Sequence, residues 1–273
     1  MASTVGSVER WRPYRSMLRA QLRSQTSYRA SFLVEFFASA VFTGVDLLTV
    51  IVLFGVTNSL GGFPFVTAFL MASLANLGFA TASLFVGNVD NLRDGIRTGQ
   101  LDALLVRPLG LLRQLLATDF ELRRVGRAAQ SLIALVVAAS LAHVPWSWRT
   151  GLLLVVSPLA GAVFFAAVFV SVGTVSFWWI DSNEFSNSFT DGGKDFTSYP
   201  ITVYGEVFRR LFAFGLGFAF VAYYPVLAIT GQPDPLGLPS WVGWLSPVVA
   251  ACAAAIASMI WRIGIRHYRS TGS

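Results

Sequence analysis

The chain is short of charge, lysine, histidine and cysteine, and each shortage removes a class of protein. Only 12% of its 273 residues are charged while 55% are hydrophobic. A soluble domain carries about 25% charged residues, so a water-soluble fold is excluded. Cys252 is the one cysteine, which leaves no internal disulfide and no cysteine metal cluster. His143 and His267 are the two histidines, too few to build a histidine metal site. Lys194 is the single lysine among 20 basic residues. No G-x-x-x-x-G-K-[ST] run occurs, and Gly192-Gly-Lys-Asp, the nearest approach, lacks the hydroxyl residue and the spacing. The chain is therefore not a phosphate-loop ATPase in its own right. No Ser/His/Asp set and no His-Glu-x-x-His run is visible either, and no catalytic residue is assigned.

What remains is a series of long apolar blocks. They do not alternate as barrel strands do, and helices are the other way to satisfy backbone groups in lipid. The fold class is an all-α polytopic membrane protein. Six transmembrane helices are expected, at residues 31–56, 63–86, 128–144, 151–178, 211–229 and 242–263. Each is close to the length needed to cross about 30 Å of hydrocarbon, the third and fifth being the shortest. Residues 8–26 place Trp11, Tyr14, Leu18 and Leu22 on one helical face, with Arg12, Arg15, Arg19 and Arg23 beside it. That pattern predicts an amphipathic helix lying in the cytoplasmic leaflet among anionic headgroups; a solvated basic tail is the bland alternative. Arginines crowd the N-terminal lead, the region 88–127 and the C-terminal tail, whereas the three connections on the other side hold only Arg149 and Asp234. The positive-inside rule then puts both termini in the cytoplasm of a multi-pass protein of the cell's inner or plasma membrane. The same clustering at the ends of apolar runs argues against nucleic acid as a partner.

The polar island 88–127 carries seven arginines and five acids. Gly99 and Pro108 punctuate a short segment, Gly favouring a helix end and Pro restricting the residue before it. Leu101, Leu104 and Leu105 share one helical face and Asp102 points elsewhere. A second amphipathic pattern follows, with Leu109, Leu112, Leu116 and Phe120 on one face. Two short helices on the membrane surface are expected, docked on the bilayer, on a partner, or on both.

Polar residues inside the apolar runs are the other signal. Glu35 and Asp46 are eleven residues apart, on one helical face about 16 Å from each other. Glu35 reaches headgroup water or a nearby arginine. Asp46 falls near mid-membrane, where an ionised carboxylate needs compensation. A place on a substrate path and a helix-packing hydrogen bond both answer that need. Asn76 lies in a run of small residues that permits close helix contact. Pro158 marks a kink in the fourth span, and Cys252 among alanines reads as a small apolar residue. His143 beside Pro145, with Trp146 and Trp148, forms an interfacial turn. Residues 181–195, rich in Asp, Asn, Ser and Gly, read as a cytoplasmic loop; the spacing of Asp181, Glu184, Asp191 and Asp195 fits no compact calcium loop. Arg209 and Arg210 are expected at the cytoplasmic boundary of the fifth span. Residues 231–240 are too rich in proline and glycine for a helix.

The Leu101-Asp-x-Leu-Leu-x-Arg-Pro108 core resembles the loop after the second span of ABC-2 type permeases, the membrane subunits of a class of ATP-binding-cassette exporters. Tyr28-Arg-x-Ser-Phe32, Ser176-Phe-Trp178, Tyr199-Pro-Ile201 and Tyr224-Pro225 are similar to further motifs of that family. The resemblance implies a coupling helix in the island that sits in a groove of a cytosolic ATPase, with Asp94, Arg97, Asp102 and Arg107 as contacts. It implies that ATP and Mg are held by that partner, with no cofactor in this chain, and that a second six-span permease completes the pathway. Asp46, Glu35 and Asn76 are then the substrate-path candidates. It also implies an extracellular re-entrant element between the last two spans, which residues 231–240, alone or with Tyr223 to Ile229, would supply in reduced form. The expected role is export of a hydrophobic or cationic drug-like compound, a lipid or a glycoconjugate. An intramembrane lipid-modifying enzyme and an ATPase-independent channel or scramblase are the alternatives.

Overall fold

A computed structural model describes residues 59–106, 110–118, 122–179 and 182–268, together with isolated positions between 34 and 57. The expected interfacial helix at 8–26, Glu35 and Asp46 in the first expected span, and Arg107 lie outside the described residues. The described positions from 34 to 55 are helical.

Four helical stretches among the described residues are long and apolar enough to cross a membrane, and up to five if one bent pair counts as a span. Helix α1 runs Phe65–Val86 and continues through a tight turn, Gly87–Asn91, into α2, Leu92–Arg97. Short helices α3, Gln100–Leu105, and α4, Leu111–Thr118, complete the island. Helix α5, Leu122–Leu141, begins inside the island, where Arg124 Nη1 donates to Ser83 O at 3.1 Å and ties α5 to the end of α1. Helix α6, Trp148–Thr174, starts on a capping box: Ser147 and Thr150 exchange side-chain to backbone hydrogen bonds. Pro158 sits within α6, which continues to Phe177 as a tighter turn.

Small residues set the packing. An added Cβ at Gly78 would lie 3.1 Å from the backbone carbon of Gly161, so α1 and α6 cross in backbone contact. At the island end, Gly173 meets Val89 and Gly264 of the last helix meets Thr174 and Phe177. That last helix, α10, is Ser246–His267 and packs along α6. The outward faces of these helices are apolar, as at Leu132, Ile133 and Val136 of α5, which suits contact with lipid.

Two expectations are corrected between α6 and α10. Residues 181–195 are not a loop: Asn183–Ser198 form helix α7, packed on α1 and α6. Its first turns sit beside the end of α6, with Ser186 Oγ donating to Val172 O. Farther along, Gly193 lies against Phe218, which packs edge-on against Phe164 and at a tilt against Phe165, halfway along α6. Just beyond its end, Thr202 Oγ1 donates to Gly61 O at 2.7 Å, before the first residue of α1. Helix α7 with the residues after it thus runs the length of the bundle.

The expected span 211–229 is not one helix. Helix α8, Glu206–Gly215, is wound as a π-helix from Arg209, and α9, Tyr223–Thr230, follows a break; the segments on either side of the break meet at 65°. Gly217, at φ 87°, makes that break in the left-handed region, pressed against Val249 and Phe164. Both ends of the hairpin lie at the same end of the bundle. Thr202 touches Gly61, and Gln232 Nε2 donates to Thr67 Oγ1 at 3.0 Å. Arg209 and Arg210 therefore do not border the island. Arg209 interacts electrostatically with Tyr223 and Tyr224, and Tyr223 packs edge-on against Phe63 at the opposite end.

Candidate coupling segment

The island folds as a layer of short helices under the end of the bundle. Gly99, at φ 70°, turns the chain between α2 and α3, as its place in the sequence predicts. Leu92 and Ile96 of α2, Leu101 of α3, and Leu111 and Leu115 of α4 are buried together with Val89. Val170 of α6 and Ala257 and Trp261 of α10 close the same cluster. Leu104 is only partly buried, and Leu105 is 42% exposed, so the apolar face of α3 is narrower than expected. In α4 the buried face is Leu111, Gln114 and Leu115, with Leu112 and Leu116 partly buried. It is rotated from the expected one because α4 packs beneath the turn after α1.

The charged candidates divide into two kinds. Asp94 and Arg97 are exposed on the outer side of α2. Asp102 instead accepts a hydrogen bond from Tyr268 Oη at 2.9 Å, across from the end of α10. Burial, then the hydrogen bond to Asp102 and its charge, push the Tyr268 hydroxyl up to about 12. Asn76 is 8% exposed inside the bundle on α1, remote from the island.

Three positioning residues were not singled out from sequence. Gln114, fully buried, donates from Nε2 to Leu104 O at 3.0 Å and satisfies a carbonyl at the end of α3. Its signal was there to read, as one polar residue inside an apolar stripe. Arg124 and Tyr268 carry no such signal, because their partners Ser83 and Asp102 are 41 and 166 positions away.

Elsewhere, an apolar crevice of about 430 Å³ opens between α6, the break before α9, and α10, with Phe218, Val249 and Cys252 on its walls. Among the described residues no group of three His, Cys, Asp or Glu side chains is placed to hold a metal ion.

The fold and its island define a multi-pass helical membrane protein with a buttressed surface layer at one end. The chain belongs to the ABC-2 family: the sequence model described as ABC-2 family transporter protein matches residues 40–272. Members are transport subunits in the membrane and not catalysts themselves, and membership implies association with ABC ATPase partners. Comparison with curated proteins gives no match.

Proposed function

We propose that the chain is the permease subunit of an ATP-binding-cassette exporter that forms its pathway with a second permease. Separate cytosolic ATPases, holding ATP and Mg, drive it. The supporting observation is the build of the island. Its outer side offers Asp94 and Arg97 to a partner, while its inner side is locked through Leu92, Ile96 and Leu101 onto α6 and α10. A push on the outer side then moves two long helices together, since a packed apolar layer transmits displacement. In this reading α2 and α3 are the coupling helices, with Asp94, Arg97 and Arg107 as ATPase contacts and Asp102 as an internal strut.

Six spans follow if residues 31–56 cross as the first and α7 crosses as the fifth. The α8–α9 hairpin is then the re-entrant element, dipping in from the outer side. Both termini and the island are cytoplasmic. Asp46, Glu35 and Asn76 stand as path candidates, and the substrate is a hydrophobic or cationic compound, a lipid or a glycoconjugate.

Crosslinking tests the reading. Arg97→Cys in a Cys252→Ser background, coexpressed with its ABC ATPase and the second permease, is expected to crosslink to the ATPase. Crosslinks that reach only lipid or the chain itself would overturn it.

A further inference from the structure

Helix α10 carries an apolar groove that leads into a basic patch. The crevice of about 430 Å³ follows α10 from Val248 to Ile260, with Val172 and Phe218 on its other walls. At 1.5 Å per residue it extends about 18 Å, close to half of the roughly 30 Å hydrocarbon core. Apart from Ser171, the side chains lining it are apolar. Val248, Cys252 and Ile256 are exposed, so the long side of the crevice is open to the surroundings of the bundle. Water is not held there, since an apolar cavity stays dry.

Beyond Ile260 the same face of α10 turns basic. At 100° per residue Cys252, Ile256, Ile260, Ile263 and His267 fall within about 80° of arc, flanked on one side by Arg266 and Arg262. Arg266 follows Ile260 by about 9 Å along the helix axis. Arg262, Arg266 and His267 are exposed. Among the described residues, no carboxylate lies within 4 Å of Arg262 or Arg266. Trp178, 45% exposed, tilts over the His267 ring at 5.7 Å. This level is the island end of the bundle, where Gly264 meets Thr174 and Phe177. Exposed tryptophan and arginine together mark a membrane–water boundary.

The structure assigns this face of α10 to one bound anionic phospholipid, with its acyl chain in the crevice and its phosphate at Arg262 and Arg266. The order of chemistry along the face favours that occupant: anion binders at the boundary, then a leaflet's depth of apolar groove. Arginines near the surface attract anionic lipid, whereas a zwitterionic lipid brings its own cation and gains less. A second permease seated here would have to supply carboxylates at the boundary and a side-chain ridge in the groove. The acyl chain lies against Gly217, where the hairpin breaks. The assignment goes beyond the permease reading and needs only that these helices cross the membrane.

Cys252, the chain's one cysteine, reports on the crevice directly. The permease is purified in neutral detergent with its ABC ATPase and second permease, the partner chains carrying no cysteine. Maleimide labelling of Cys252 is timed as phosphatidylglycerol, phosphatidylcholine or soluble glycerol 3-phosphate is added. Phosphatidylglycerol is expected to protect the thiol at a concentration roughly tenfold below that needed with phosphatidylcholine. Glycerol 3-phosphate, a headgroup without chains, is expected to give no protection. Arg262→Gln with Arg266→Gln is expected to bring phosphatidylglycerol to the phosphatidylcholine level. Retained protection by phosphatidylcholine shows that the crevice of that variant is still formed. Arg149→Gln, at the other end of α6, is expected to leave the preference in place. No protection by either lipid would overturn the chain site, and equal protection by both in the wild type would overturn the headgroup site. Protection by glycerol 3-phosphate would replace the lipid with a soluble phosphate and overturn the assignment. A benzophenone maleimide on Cys252 that crosslinks to the second permease instead of lipid would give this face to that subunit, overturning it too. These rates are read without transport and do not depend on crosslinking at residue 97, so the two readings fail separately.

Discussion

Tyr268 donates a hydrogen bond to Asp102 Oδ1 at 2.9 Å, joining the end of the last helix to the shortest helix pair of the island. Two elements 166 positions apart in sequence are thereby tied together. Hydrogen bonds to charged acceptors contribute about 1.5–3 kcal/mol, less where water competes as it does here. Tyr268→Phe is expected to cost about 1 kcal/mol of stability and to lower transport relative to ATP hydrolysis. Asp102→Asn on top of Tyr268→Phe should add little, since the pair acts as a unit. Full additivity in that double-mutant cycle would show that the two residues act independently. The pH dependence has a fixed sign. Folding raises the Tyr268 hydroxyl from its ordinary 10 to about 12. Its contribution is therefore fully present below pH 10 and is lost as pH rises through about 12. Thermal stability that differs equally between wild type and Tyr268→Phe from about pH 6 to 9 fits this pair.

Gln114 holds α4 against α3 by donating to Leu104 O. Replacing it by Leu keeps the volume but strips a partly buried carbonyl of that donor. The expected cost is about 1–3 kcal/mol, localised to the island. Amide exchange at α3 should speed up while α6 and α10 keep their protection. Unchanged exchange in α3 would remove Gln114 from the coupling layer.

The crossing of α1 and α6 makes a comparative prediction. Gly78 has the backbone of Gly161 3.1 Å from a would-be Cβ, whereas Gly151 has nothing within 4 Å. Gly78→Ala should destabilise by about 1–3 kcal/mol, as overpacking does. Gly151→Ala should be neutral or slightly stabilising, since alanine is the better helix former. Melting temperatures of the two variants in the same detergent or bilayer check the order.

The legible parts of the fold were those written in local pattern. Long apolar runs foretold α1, α6 and α10, and Gly99 foretold the turn within the island. Small residues foretold the close approach of α1, although not that its partner would be Gly161. Helix α7 was misread because hydropathy averages over all faces. Asp, Asn, Ser and Gly on two sides of the helix outweigh its three phenylalanines. Residues 211–229 read as a plain span for the opposite reason: they are almost wholly apolar, and a bend at Gly217 leaves no trace in composition. Asp102 looked like an outward contact because nothing near it in sequence announces Tyr268.

The placement of residues 199–210 decides between two topologies, and labelling resolves them. If 211–229 were a plain fifth span entered from the cytoplasm, Glu206 would lie inside. The contacts of Thr202 with Gly61 and of Gln232 with Thr67 instead put Glu206 at the end of the bundle away from the island. Its side chain is 64% exposed and pairs with Arg210, an exposed i,i+4 pair. Such pairs contribute only about 0.3–0.5 kcal/mol, so Glu206→Cys should fold normally. In a Cys252→Ser background, Glu206→Cys is expected to react with a membrane-impermeant maleimide added to intact cells. Leu238→Cys, in the exposed turn before α10, should do the same. Arg97→Cys, in the island, should react only after the membrane is opened. If Glu206→Cys follows Arg97→Cys instead of Leu238→Cys, helix α7 does not cross the membrane as the fifth span.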